Sequence, residues 1–176
     1  MFERASKSEK IFWDTTWRTP NLGAISQAGF INNLNDGMIW GLLPIFLANL
    51  LFSGEQIAWL AGLYPMVWGL GQLFTGKLGD HLAIKPLLFW GMLLQGVVIL
   101  FMVYSDDFTL LAILGSLLGL GTALVYPNFL SGIAAYTHPM QRAESIGVFR
   151  LWRDLGYVFG AIFSGILADS FGLPVA

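Results

Sequence analysis

The run Asn32-Asn33-Leu34-Asn35-Asp36 interrupts a long apolar stretch near the start of the chain. Asn32, Asp36 and Trp40 are spaced i, i+4, i+8, which puts them on one face of a helix. A carboxylate in apolar surroundings is costly to bury as an ion, so it must pair, protonate or line water. Two readings fit. Asp36 is a proton-coupling or substrate-contacting residue with Asn32, Asn33 and Trp40 around it, or the cluster is a polar knot that ties helices together.

Tyr64, Trp68 and Gln72 repeat the same spacing further on. Gln95 stands midway through another apolar segment, and Tyr126 and Asn128 flank Pro127. Aromatic and amide groups converging on a cavity suit a small amphipathic solute. Taken singly, each is more often an interhelical hydrogen bond. Catalytic chemistry finds little support. There is no cysteine, and the two histidines, His81 and His138, stand apart with no acid–base or metal cluster in view. The sequence therefore predicts no enzyme, no metal and no cofactor. A net charge of −2 points to no nucleic-acid partner.

The elements that must carry these residues follow from composition. Hydrophobic residues make up 56% of the 176, charged residues 11%, and the mean hydropathy is +0.66. Soluble domains carry about 25% charge, so the natural partner of this surface is a lipid bilayer. At about 1.5 Å per residue, a crossing of about 30 Å takes about 20 residues. Five segments are long enough, approximately 23–52, 57–76, 86–104, 108–135 and 141–171, within a bundle of residues 23–172. Ser53-Gly54-Glu55 and Ser105-Asp106-Asp107 are short linkers, which makes the spans they join antiparallel neighbours. Residues 1–20 mix Phe2, Phe12, Trp13 and Trp17 with seven charges, so they read as an arm near the membrane surface or a frayed tail, and not as a signal peptide.

Charge sorts by side. With the N-terminus in the cytoplasm, all nine Lys and Arg fall on the cytoplasmic side: Arg4, Lys7, Lys10, Arg18, Lys77, Lys85, Arg142, Arg150 and Arg153. Glu55, Asp106, Asp107 and Asp169 fall opposite, as the positive-inside rule requires. Within the spans, Gly62, Gly69 and Gly76, Gly115 and Gly119, and Gly156, Gly160 and Ser164 are predicted to form packing seams. Pro44, Pro65 and Pro127 are predicted to kink their helices. After Asp154 only the 14 residues Leu155–Ala168 are continuously apolar, so Arg153 and Asp154 fall at or inside the membrane boundary. Arg150 and Asp154 can pair at i, i+4, leaving Arg153 for another element or for headgroups.

Gly76-Lys77-Leu78-Gly79-Asp80-His81-Leu82-Ala83-Ile84-Lys85 resembles the G-x-L-A-D-R-x-G-R-K/R loop between the second and third helices of each half of a major facilitator superfamily transporter. Gly76, Leu78, Asp80 and Lys85 match, while His81, Ala83 and Ile84 depart from the pattern. The Asn-Asp-rich first span, Gly119-x-Gly121 before Tyr126-Pro127, and Arg150-Leu-Trp-Arg153-Asp154-Leu-Gly156 extend the similarity over about residues 24–172. It is nearest to the second half of such a protein, helices seven to eleven, because 108–135 carries no charge.

The resemblance implies an all-α membrane protein, a partial six-helix half-bundle whose partner is the missing half of the transporter. It also implies alternating access about a midplane site for a small-molecule substrate. A cytoplasmic gate would be built from Gly76, Asp80, Lys85, Arg150, Arg153 and Asp154, with Asp80 meeting a helix N-terminus or one of the arginines. The function expected is that of a proton-coupled secondary transporter segment in the plasma (inner) membrane. An uncoupled facilitator and a non-transporting scaffold or partner subunit are the alternatives.

Overall fold

The computed structural model describes residues 7–172, apart from the side chain of Asp80. The described residues are helical, without strands. A one-turn helix α1 (Ile11–Trp13) continues into a wide π-type turn, Asp14–Arg18. Five long helices follow: α2 (Pro20–Asn49), α3 (Gly54–His81), α4 (Ile84–Val103), α5 (Phe108–Tyr136) and α6 (Arg142–Phe171), the last preceded by a 3₁₀ turn, Pro139–Gln141. Pro44, Pro65 and Pro127 all lie inside helices that continue past them.

Four helical stretches are long and apolar enough to cross a membrane: Gly54–Gly79, Ile84–Val103, Phe108–Tyr136 and Pro139–Phe171. The sequence reading counts α2 as a fifth. It has the length, 30 residues, but the Asn-Asp run at its middle leaves it no uninterrupted apolar stretch long enough to join that set.

Local chemistry explains the helix ends. At α3, the Ser53 hydroxyl accepts from the Gln56 amide (3.3 Å) and the Gln56 side chain accepts from the Ser53 amide (2.9 Å), a reciprocal capping box. At α5, Asp107 Oδ1 accepts from the Leu110 amide at 2.8 Å. α2 closes with the Leu51 amide on Ala48 O and the Phe52 amide on Leu47 O, a Schellman pattern. Leu51 holds the left-handed position at φ 65°, where a side chain is strained and glycine is usual.

One boundary differs from expectation. The segment Gly76–His81, read as part of a loop, forms the last turns of α3. Lys77 and Leu78 are good helix formers and nothing there ends the helix. The connection to α4 is Leu82-Ala83 alone, both extended, and Pro86 falls in the first turn of α4, where its missing N–H is harmless.

The chain divides into two compact units. The first comprises residues up to Gly41 and those from Phe129 onward. In it, α2 and α6 meet backbone to backbone. A Cβ at Gly156 would land on the Phe30 carbonyl, one at Gly160 on the Leu34 carbonyl, and one at Gly37 on the Tyr157 carbonyl. The Gly156/Gly160 seam is where the sequence puts it, with buried Ser164 one turn on. Its counterpart, Gly37 with Gly41 on α2, was not anticipated. Phe149 fills the space beside Gly29 and packs on Phe129 at 5.5 Å.

Residues 1–6 of the arm lie outside the described residues; from Lys7 on it belongs to this unit too and is docked rather than frayed. Thr15 Oγ1 donates to Ser145 Oγ (3.2 Å), Trp152 Nε1 to Thr16 Oγ1 (3.0 Å), and Ser26 Oγ to Thr15 O (2.9 Å). Ser8 and Gln141 exchange two bonds of 2.8 and 2.7 Å. Thr15 and Thr16 are thus buried and satisfied, while Phe12, Trp13 and Trp17 face outward.

The second unit, residues 42–128, holds α3, α4 and most of α5. Its glycine contacts depart from prediction. Gly62, Gly69 and Gly76 have nothing within 4 Å, so their seven-residue repeat lines an uncovered face of α3. Gly115 is likewise clear, and its partner Gly119 alone makes the approach, 2.6 Å from where its Cβ would stand to Tyr64 O. Gly71 meets Ala123, and Gly91 and Gly121 bring α4 and α5 together. Heptad spacing alone does not say which neighbour a glycine faces. Gly71, two residues beyond Gly69, lies on the face that is covered.

Candidate functional site

The predicted site residues fall in both units. In the first, Asn32 (1% exposed), Asn33 and Asp36 (7%) are buried on α2, and Trp40 is half-buried. Asn33 Nδ2 donates to the Arg153 carbonyl at 2.9 Å, fastening α2 to α6 just before the Gly156 contact. This bond can form because the glycines let the two backbones approach. Asn32 and Asp36 lie about 100° around the helix from that seam, as neighbours in sequence must.

At the charged start of α6 the pairing is not the expected i, i+4 one. Arg153 Nη1 lies 3.8 Å from Asp154 Oδ1, and Arg150 is exposed. Arg153 is 14% exposed and Asp154 72%. Successive helix residues point about 100° apart, so the contact lies at the outer limit of ion pairing. With Asp154 so exposed, the pair adds little stability.

In the second unit α3 and α5 assemble an aromatic cluster. Gly119 allows the α5 backbone to come against Tyr64 and Trp68. One turn on, Thr122 Oγ1 sits 3.0 Å from the buried Tyr64 hydroxyl. A further turn on, Tyr126 meets Trp68 edge to face, ring centroids 5.9 Å apart, and Tyr64 lies 6.1 Å from Trp68 on the other side. The series 119, 122, 126 is one face of a helix and 64, 68 another, so the sequence spacing dictates the stack once the two faces meet. Trp68 Nε1 is buried and has no hydrogen-bond acceptor among the described residues. A buried indole N–H without a partner forfeits about 1–3 kcal/mol.

The other predicted residues take lesser places. Gln72 is half-buried one turn beyond Trp68. Gln95 is 1% exposed, donates to its own helix at Gly91 O (3.4 Å) and packs against Gly121. Asn128 donates to Leu124 O at 2.6 Å and fits against Gly79, where a Cβ would strike its side-chain oxygen. Gly79, in the motif position reserved for a small residue, is thus small because Asn128 is there. A Cβ at Gly76 would meet nothing within 4 Å, Lys85 is exposed in the first turn of α4, and the Asp80 side chain lies outside the described residues.

Two contributors escaped the sequence reading: Thr122, which anchors Tyr64, and Thr75, whose hydroxyl donates to Ala123 O at 2.5 Å. Threonine is common in apolar helices, and nothing but its i+3 offset from Gly119 could have singled out Thr122.

Comparison with known proteins places this arrangement. Residues 25–176 match the profile of the Major Facilitator Superfamily. The chain is similar to the methyl viologen resistance protein SmvA of Salmonella typhimurium, 32% identical over 120 residues, which is 68% of this chain and 24% of that protein. It is also similar to the uncharacterized MFS-type transporter YwoD of Bacillus subtilis, 25% identical over 153 residues, 87% of this chain and 34% of that one. The quinolone resistance protein NorA of Staphylococcus aureus is 23% identical over 140 residues, 80% of this chain and 36% of that one. The matched segment thus spans about a quarter to a third of these relatives' length. With its helices apolar enough to cross a bilayer and its profile match covering more than four-fifths of its residues, the chain belongs to the Major Facilitator Superfamily of integral membrane proteins.

Proposed function

We propose that this chain is the second-half portion of a secondary transporter that moves small, flat aromatic solutes, coupled to protons through Asp36. The observation that carries the substrate class is the Tyr64–Trp68–Tyr126 cluster with its unpartnered Trp68 N–H. Aromatic walls accept planar rings and cations. A buried donor without an acceptor favours a solute that brings a carbonyl or carboxylate. Relatives named for resistance to quinolones and to methyl viologen support the choice of flat aromatic compounds. Asp36 supports coupling, being 7% exposed in the middle of a 30-residue helix. In this reading α2 crosses the membrane as a fifth span and the N-terminus is cytoplasmic, which the sorting of all nine basic residues supports.

Titration of the purified protein with a fluoroquinolone tests the reading. Trp68→Phe keeps the ring and removes the donor, so affinity should fall by about 3–10-fold, the equivalent of one hydrogen bond. Methyl viologen, which carries no acceptor, should lose less affinity than the quinolone in Trp68→Phe and more in Trp68→Ala. The exposed Trp59→Phe serves as control. Quinolone affinity unaffected by Trp68→Phe would sink the assignment. For coupling, Asp36→Asn should abolish the response of transport to a pH gradient while leaving quinolone binding intact. A response that survives would make Asp36 structural.

A further inference from the structure

The docked arm has its faces reversed relative to a helix on a water-washed surface. Its polar Thr15 and Thr16 point inward and are hydrogen-bonded, while Phe12, Trp13 and Trp17 point out, at 38%, 51% and 56% exposure. Exposed Lys10 and Arg18 bracket these aromatics, and neither makes an ion pair among the described residues. Outward aromatics interleaved with basic residues mark the headgroup level of a membrane.

Behind Trp17 lies a groove of about 310 Å³ lined by Thr16, Ser26, Gln27, Phe30, Ile31 and Trp152, with Trp17 at its edge. Trp17 and Trp152 meet edge to face at 5.8 Å. The two hydroxyls on the wall are already engaged. Thr16 Oγ1 donates to Phe12 O (2.6 Å) and accepts from Trp152, and Ser26 donates to Thr15 O. What the groove offers an occupant is therefore ring faces and aliphatic surface, with one free amide, Gln27, at the rim.

We propose that this groove holds one acyl chain of an anionic phospholipid, its headgroup held at Arg18, the chain neighbour of the groove-lining Trp17. The apolar slot takes the chain. The exposed Arg18 next to it selects the charge, a basic residue near a membrane surface favouring anionic over neutral lipid. The arm would thereby be pinned both to α6 by its threonines and to the bilayer by a resident lipid.

Native mass spectrometry of the intact protein, equilibrated with equimolar palmitoyl-oleoyl phosphatidylglycerol and phosphatidylcholine, tests this. One phosphatidylglycerol should persist through delipidation, favoured at least fivefold over phosphatidylcholine. Ile31→Trp, at a half-exposed rim position, fills the groove and should cut retention of both lipids at least fivefold. Arg18→Gln, at an exposed position that cannot disturb the core, should leave chain binding but bring the two lipids to near parity. Undiminished retention in Ile31→Trp, or equal retention of the two lipids by the unmodified protein, would overturn the proposal. If Ile31→Trp does not fold, dibromo-phosphatidylglycerol quenching decides. It should fall in Trp17→Phe relative to the parent, and equal quenching in the two would count against the site.

Discussion

Replacing Gly160 by alanine tests how α2 and α6 are held together. The added Cβ would stand 2.9 Å from Leu34 C and 3.1 Å from Leu34 Cα, and nearer still to the carbonyl oxygen. Ordinary contact begins at 3.4 Å, so the helices must part by about 0.5 Å against carbon and more against oxygen. These are backbone atoms, which cannot swing aside as a side-chain end does. Overpacking of this kind costs about 1–3 kcal/mol. The separation also stretches the 2.9 Å bond from Asn33 to Arg153 O, and an interhelical bond in a membrane is worth about 0.6 and up to about 1.7 kcal/mol. Against this, alanine gains about 1 kcal/mol over glycine in a helix. The balance is a loss of about 1–3 kcal/mol. Gly62, with nothing within 4 Å, keeps only the helix gain, so Gly62→Ala should be neutral or up to about 1 kcal/mol more stable. Reversible unfolding in mixed micelles, or steric trapping in bicelles, measures both. Equal stability of the two alanine variants would refute the reasoning, because it would mean that the α2–α6 approach is not set by glycine.

Three further outcomes are expected. Leu51→Gly relieves the left-handed strain at φ 65° and should raise stability by about 1 kcal/mol in the same unfolding assay; a destabilised variant would show that Leu51 makes up the strain by packing. Thr122→Val removes the partner of the Tyr64 hydroxyl at nearly constant volume and should cost about 1 kcal/mol, with a change in the near-ultraviolet circular dichroism of the Tyr64–Trp68–Tyr126 cluster. Thr16→Val leaves Trp152 Nε1 without its acceptor and should make the arm's amides exchange with deuterium faster, while those of α4 keep their protection.

The aromatic cluster shows where sequence reasoning reached and where it stopped. The spacing of Tyr64, Trp68 and Gln72 puts them on one helix face, and Tyr126 stands out beside Pro127. That Tyr126 faces Trp68, while Asn128 turns to Gly79, depends on the rotation of α5 against α3. Gly119 and Thr122 set that rotation through contacts across helices, which no single-helix pattern contains. The α6 seam was legible because two glycines and a serine at i, i+4, i+8 have little other use in a membrane helix. The α3 glycines looked equally regular and proved to face open space.

Composition alone determined that most of this chain resides in lipid, because 11% charge cannot cover a soluble surface. Apolar run lengths determined five long helices, and their ends to within a few residues except at α3, which runs on to His81, since helix rise against bilayer thickness leaves little choice. The tertiary structure decided which faces meet. It turned the arm from a candidate tail into a clasp on α6, through hydroxyl bonds between residues 130 and 136 positions apart. It also left the predicted Asn-Asp run buried beside a glycine seam. Periodicity says which residues share a face. Only packing, where backbones can approach within contact distance, says what that face touches.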